Sequence, residues 1–339
     1  MTQPHTRTLA IERALKLHQY IGQLPRCCNH FFVSISITTR ELTRLGYAGD
    51  LLLFFNWLIA YIPAFEQAKT PANITDEMLK TVTTEDIECF LAYTTAYQNH
   101  EITRTNELHG KARKLSAIRR LFQYLYERGV LEGNVAELAK YPKKPVQVIT
   151  RLDPNEVADM LDLAEKSAHK LAVRDTAILT LFLGTGIRIS ELTGINIEEI
   201  DLSRNALLIN RKGGKQELVY FAGEVEKALK RWLEKRKETK ALPGHEAALF
   251  LSTQRRRITN RAVENLVAKY AKIVTPLKKI SPHKLRSTFG TALYRETGDI
   301  YLVAEVLGHK DVNTTRRHYA AMDEERKIAA AKAVKLRED

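Results

Sequence analysis

The stretch from Ser281 to Tyr319 constrains this chain more than any other. There S-P-H-K-L-R opens an apolar, helix-like run, and L-G-H-K-D-V-N-T-T-R-R-H-Y follows it. His283 lies three residues before Arg286, so a helix places both on the same side of one turn. A second histidine, His309, and then Tyr319 complete the order. Arg offers a planar fork that matches two phosphate oxygens, and histidines supply hydrogen bonds or a proton acceptor. Tyrosine supplies an oxygen nucleophile able to form a covalent intermediate. Such a set suits holding a phosphodiester while a tyrosine attacks it.

Upstream, Arg188 stands in L-F-L-G-T-G-I-R-I-S-E-L and Lys212 in I-N-R-K-G-G-K-Q-E. With these the chain resembles the tyrosine recombinases, the family of phage integrases and Xer chromosome-dimer resolvases. The segments that carry the resemblance are T-G-I-R-I-S-E-L-T-G (185–194), R-K-G-G-K (211–215), P-H-K-L-R (282–286), L-G-H-K (307–310) and T-T-R-R-H-Y (314–319). G-x-R and H-x-x-R alone occur by chance in many chains. Five segments in the correct order, at compatible spacings, are specific.

Residue by residue, Arg188 and Arg286 form the expected phosphate clamp. A pentacoordinate transition state concentrates negative charge on the non-bridging oxygens, which two guanidiniums can bind bidentately. Glu191, one helical turn from Arg188, would make an ordinary surface ion pair in isolation; the resemblance makes it a group that orients the site. His283 is assigned phosphate hydrogen bonding and acceptance of the tyrosine proton, because an unperturbed Tyr has a pKa of about 10 and needs positive charge or a base nearby. By resemblance His309 donates to a phosphate oxygen, Lys212 is the general acid that protonates the departing 5′ oxygen, and Tyr319 is the nucleophile. Lys215 is the runner-up for the acid and otherwise a contact to the DNA backbone. Two positions depart from the family pattern: Ser287 follows the second arginine, and Ala320-Ala321 follow the tyrosine. Neither removes a catalytic group. The resemblance calls for no cofactor and no metal.

Composition agrees with a polyanionic partner. The 339 residues carry 53 Lys+Arg against 40 Asp+Glu, a net +13, and that surplus favours nucleic acid. No apolar run is long enough to span a bilayer; even L-L-L-F-F-N-W-L-I-A is interrupted by Asn56. The start, M-T-Q-P-H-T-R-T, lacks the apolar core of a signal peptide, so cytoplasmic, nucleoid-associated residence is the expectation. Cys27, Cys28 and Cys89 form no C-x-x-C pair, and with His30 they fit no common zinc spacing, so all three read as reduced thiols.

The periodicity predicts a mainly α protein with one small antiparallel β-sheet. Residues 1–140 read as a helical core-binding domain, 141–152 as a linker, and 153–339 as the DNA breaking-rejoining catalytic domain with a helical tail. Helices are expected over Leu9–Leu24, Leu42–Ile62, Glu85–Gln98 after a Thr84 cap, and roughly Thr105–Gly129. In the last of these Leu115, Ile118, Phe122 and Leu125 share one face, and Arg113 and Arg120 point to the opposite side, with Lys111 and Lys114 nearby. Sequence alone makes that stripe a solvated face; the resemblance makes it a phosphate-binding surface. The linker Y-P-K-K-P-V-Q-V-I-T-R-L-D ends at Asp153, which with Glu156 forms a capping-box-like helix start. Beyond it come a buried helix at Arg174–Gly184, strands at Ala206–Asn210 and Glu217–Phe221, and helices at Val225–Glu238, Arg261–Val274, His283–Thr297 and Ile300–Leu307. Asn313 or Thr314 is the expected cap of a helix presenting Tyr319. Gln254–Arg257, then Thr259 and Arg261 at a helix start, are placed to enter a major groove.

The implied activity is site-specific recombination through a 3′-phosphotyrosyl link and a Holliday junction, by a homo-tetramer on two duplex DNA sites with inverted repeats, with or without an accessory activator. No extra N-terminal arm-binding domain is apparent, which favours an Xer-like protein of chromosome dimer resolution. A mobile-element integrase, a type IB topoisomerase and a non-catalytic DNA-binding regulator are the alternatives.

Overall fold

A computed structural model describes residues 4–99, 102–105, 108–141, 150–211, 215–309, 311–312 and 315. The chain divides into two compact units, Met1–Gln147 and Val148–Asp339.

The first unit is built from α1 (Pro4–Ile21), α2 (Arg26–Ser34), α3 (Glu41–Tyr61), α4 (Asp76–Lys80), α5 (Thr84–Tyr93), a hairpin of β1 (Ala96–Asn99) and β2 (Ile102–Thr105), α6 (Leu108–Glu127) and the single turn α7 (Val135–Leu138). α3 is apolar through most of its length and packs on α1, α5 and α6. Phe54 is fully buried, its ring edge-on to Phe90 of α5 at 5.0 Å and to Phe122 of α6 at 6.4 Å. The cap of α5 falls one residue earlier than the predicted Thr84. Thr83 accepts from the Asp86 N–H while the Asp86 carboxylate accepts from the Thr83 N–H, closing a capping box. The predicted continuation to Gln98 does not occur, because the hairpin begins at Ala96.

In the second unit the order is α8 (Pro154–Glu165), α9 (Ala172–Thr185), α10 (Ile189–Gly194), β3 (Ile200–Asp201), β4 (Ala206–Asn210), β5 (Gln216–Tyr220), α11 (Glu224–Lys237), α12 (Asn260–Val274), α13 (Pro282–Thr297) and α14 (Ile300–Leu307). β3, β4 and β5 form one antiparallel sheet in that order, with Leu207 opposite Val219 and Ile209 opposite Glu217. α9 is the central element. It is buried nearly all round and packs against α8, α11 and α13, as its unbroken apolar run requires. Two glycines are demanded by the packing. Gly184 meets Val225 of α11, where an added Cβ would come within 2.3 Å of a valine methyl. Gly186 ends α9 in the left-handed region (φ +62°), and a Cβ there would lie 2.4 Å from Phe289.

The start of α8 shows how a local sequence signal joins distant segments. The Asp153 N–H donates to Glu156 at 2.8 Å and the Glu156 N–H donates to Asp153 at 2.9 Å. Lys278, in the loop after α12, donates to the same Glu156 carboxylate at 2.6 Å. Partial burial would raise the Glu156 carboxyl, but Lys278, the Asp153 amide and Thr275 outweigh it and hold the group down to about 2. A carboxylate depressed in the fold contributes stability above the usual carboxylate range and loses it as pH falls toward the folded value. Glu156→Gln is therefore expected to cost on the order of 1–2 kcal/mol at pH 7 and much less at pH 2. Urea midpoints of both proteins at the two pH values check this; a gap independent of pH would contradict it.

Candidate active site

Arg188, Arg286, His309 and Glu191 meet around one turn, the C-terminal end of α14. The last carbonyls of a helix lack amide partners and carry its negative dipole end. Here arginines fill that need. Arg286 is on the buried face of α13, and its guanidinium donates to the Leu307 carbonyl and, at 2.6 Å, to the Gly186 carbonyl. Arg188 sits at the cap position of α10, directly after the left-handed turn that closes α9, and donates to the Gly308 carbonyl at 2.9 Å. The two turns are thus cross-tied: Gly186, two residues before Arg188, binds Arg286, and Gly308, directly before His309, binds Arg188.

Glu191 lies beneath them, its side chain 2% exposed. One carboxylate oxygen accepts from the Arg188 guanidinium at 2.8 Å and the other from the Arg188 backbone N–H at 2.7 Å. Its place beside Arg188 is the one the sequence predicts. His309 follows Gly308; its N–H donates to the Ala304 carbonyl at 2.9 Å, and its Nδ1 lies 2.7 Å from the hydroxyl of buried Thr315. His283 is exposed in the first turn of α13, where its carbonyl accepts from the Ser287 hydroxyl. His283 also lines a cleft of about 430 Å³ with Ile189 and Arg261.

Lys212 and Tyr319 lie outside the described residues, as do the expected Asn313 or Thr314 cap, the tail beyond Tyr319 and linker positions 142–149. The ends of the hairpin tip are described: the Arg211 N–H donates to the Lys215 carbonyl at 2.8 Å, continuing the β4–β5 ladder, and Lys215 is exposed.

Sequence reasoning passed over Arg211. It is buried, and donates to the carbonyls of Leu307 and Val306 at 2.9 Å each. It also pairs with Glu217 at 2.8 Å and lies 3.9 Å from Glu191. The signal was available: strand alternation puts Leu207 and Ile209 inward, and Arg211 is next on that face.

The basic residues expected to face DNA divide. Arg120 and Arg261 are exposed, Arg261 with Glu264 at 3.4 Å. Lys111 donates to the Thr95 hydroxyl, and Arg113 to Asp50 and the Gly46 carbonyl. Lys114 is buried, 3.6 Å from Asp50, because the α6 register turns it inward beside Leu115. Arg257 is also turned inward. Its guanidinium donates to the carbonyls of Thr193, Gly194 and Ile195 at the end of α10, and burial pushes it below the ordinary arginine range. Among the described residues no His, Cys, Asp and Glu group could hold a metal ion, and no helix is long and apolar enough to cross a membrane.

Tyr270 shows what the core does to an ordinary phenol. Burial, with Asp175 accepting its hydroxyl, pushes it up to about 12, the opposite of an activated nucleophile.

The phage integrase family matches residues 150–326. The chain is 39% identical over 212 residues to tyrosine recombinase XerC of Thermodesulfovibrio yellowstonii, covering 60% of this chain and 69% of the relative. Against XerC of Vibrio cholerae the figures are 33% over 205 residues, 60% and 65%. XerC of Syntrophus aciditrophicus matches at 31% over 282 residues, 82% of this chain and 86% of the relative. Among solved structures, the XerH site-specific recombinase bound to its difH substrate superposes with a TM-score of 0.61 at 25% identity, over 86% of this chain and 79% of that one. The Tn1549 transposon integrase on transposon right-end DNA shares the fold, with a TM-score of 0.67 at 18% identity over 91% and 99%.

Gly308 carries a prediction. It is left-handed (φ +60°), and a Cβ would stand 2.4 Å from an Arg211 guanidinium nitrogen. Gly308→Ala is expected to destabilise the protein by about 1–3 kcal/mol through the strained turn and the displaced arginine. Thermal or urea unfolding reads the loss; an unchanged midpoint would contradict the packing described.

Proposed function

The chain belongs to the phage integrase family of tyrosine recombinases, and on that premise we propose the following mechanism of site-specific DNA recombination. Arg188 and Arg286 bind the non-bridging oxygens of the scissile phosphate, with His309 donating to the same group. The Tyr319 hydroxyl attacks phosphorus and its proton passes to His283. The bond from phosphorus to the 5′ oxygen breaks, and that oxygen takes a proton from Lys212, or from Lys215 at the base of the same hairpin. The products are a 3′-phosphotyrosyl link and a free 5′ hydroxyl. Attack by a 5′ hydroxyl of the partner duplex reverses these steps, rejoins the strand and frees the tyrosine. The link conserves the phosphodiester energy, so no nucleotide hydrolysis is required.

One observation carries the reading. Arg188 and Arg286, far apart in the chain, are brought to neighbouring carbonyls of one turn, and His309 is the next residue of that turn. Two guanidiniums and an imidazole gathered at one turn suit the binding of an anion.

In the proposed assembly, the helical unit before the linker and the catalytic unit both grip duplex DNA, and four protomers act on two inverted-repeat sites. The Ala-rich segment after Tyr319 docks on a neighbouring protomer. The XerC relatives favour chromosome dimer resolution, in the cytoplasm at the nucleoid, over integration of a mobile element. Exposed Arg120 and Arg261 contact backbone phosphates, whereas Arg257 and Lys114 act inside the protein.

The test uses nicked, randomised duplex DNA, with covalent adducts recovered under denaturing conditions and sequenced, and Tyr319→Phe in parallel. Adducts enriched for an inverted-repeat site and absent from the variant are expected, with the variant still binding DNA. Adducts without sequence preference point instead to a topoisomerase, and equal adducts from the variant contradict the nucleophile. For the surface, Arg261→Ala is expected to weaken DNA binding and flatten its salt dependence by about one counterion. An unaltered slope in a salt titration would remove Arg261 from the interface.

A further inference from the structure

Arg211 is engaged on both terminal guanidinium nitrogens at the α14 turn. It enters from the end of β4, shares the Leu307 carbonyl with Arg286, and adds the Val306 carbonyl. It approaches the same Glu191 oxygen that Arg188 binds, and its far edge is held by Glu217 of β5. It therefore shares one anchor with each clamp arginine, the Leu307 carbonyl with Arg286 and Glu191 with Arg188. Its side chain is 6% exposed, so it has almost no surface to offer a substrate.

Its geometry is not what stability alone would select. Among the described residues the buried Arg211 Nε has no hydrogen-bond partner, and an unsatisfied buried donor costs free energy that an apolar side chain would avoid. The Gly308 position also has to stay without a side chain to admit the guanidinium.

We infer that Arg211 is a positioning residue for phosphoryl transfer: it locks the Val306–Gly308 turn and Glu191 against the sheet, so that the Arg188 and Arg286 guanidiniums are held toward the phosphate in one fixed geometry. The inference rests on the reading of those two arginines as the phosphate clamp. It assigns Arg211 no contact with DNA and no proton transfer.

The experiment compares single-turnover release of the 5′-hydroxyl strand from two nicked duplexes of the protein's own site. One carries the natural scissile phosphodiester, the other a methylphosphonate, in which a methyl group replaces one charged oxygen. A neutral phosphoryl group has less negative charge to stabilise, so it relies less on a cationic clamp. Arg211→Ala is expected to slow cleavage of the diester about 10²-fold and to lie at least about tenfold closer to wild type on the methylphosphonate, as Arg188→Ala does. Glu217→Gln, which removes only the outer anchor of Arg211, is expected to shift in the same direction by a smaller factor. It carries the test if thermal melting shows that Arg211→Ala does not fold. Equal deficits of the Arg211 variant on both substrates, while Arg188→Ala recovers, would reduce Arg211 to a structural residue and overturn the inference. So would undiminished cleavage of the diester. If Arg188→Ala itself shows no recovery, it is the clamp reading that fails, and the inference falls with it.

Discussion

At the end of α14 the carbonyls of Val306, Leu307 and Gly308 are bound by arginines from three other segments: Arg211 directly after β4, Arg286 from α13 and Arg188 from the start of α10. A helix C-terminus is a natural seat for guanidinium groups, because it offers unpaired carbonyls at the negative end of the dipole. Three cations gathered there would repel one another, and Glu191 is placed to offset that repulsion, bound to Arg188 and near Arg211. The α9 turn, the first turn of α10, the hairpin and the His309 loop all take their relative positions from this cluster. The proposed chemistry follows from the same physics. A site whose cations are already assembled needs little reorganisation when a phosphate enters.

The same device recurs away from the site. Arg257 binds three carbonyls at the end of α10, Arg119 binds the carbonyls of Ala136, Glu137 and Ala139 around α7, and Arg236 those of Thr239, Glu246 and Ala248. Arginine suits this work because its five donors lie in one rigid plane and it keeps its charge when buried. The net +13 is consequently not a direct measure of the surface available to DNA. Part of it is internal scaffolding, and the exposed share lies at residues such as Arg120 and Arg261.

Much of this architecture was legible beforehand. Strand Ala206–Asn210 and helix Ile300–Leu307 have the predicted limits, and α9 has the apolar character of a buried helix. The capping box at Asp153 and Glu156 is present because its signal is local. The hairpin at Ala96–Thr105 was missed, since its strands are only four residues each, too short for alternation to stand out, and the first begins close behind α5. For the proposed site, the sequence singles out Arg188, Glu191, Arg286 and His309 and the structure brings them to one turn, but the sequence does not show what holds them. Arg211 and Arg257 act through backbone carbonyls of distant segments, and a carbonyl leaves no mark in a sequence. The left-handed glycines Gly186 and Gly308 were visible as residues of G-I-R and G-H, yet the Phe289 and Arg211 side chains that exclude a Cβ there come from other elements.

The central claim, that this cluster serves a tyrosine attacking a phosphodiester, is tested most directly by locating the covalent bond. After reaction with a nicked duplex of the protein's site, the adduct is digested with nuclease and trypsin and the nucleotide-bearing peptide is sequenced by mass spectrometry. The account predicts the added mass on Tyr319, within the peptide H-Y-A-A-M-D-E-E-R. The mass on any other residue, or strand cleavage that leaves no protein-linked nucleotide, would contradict it.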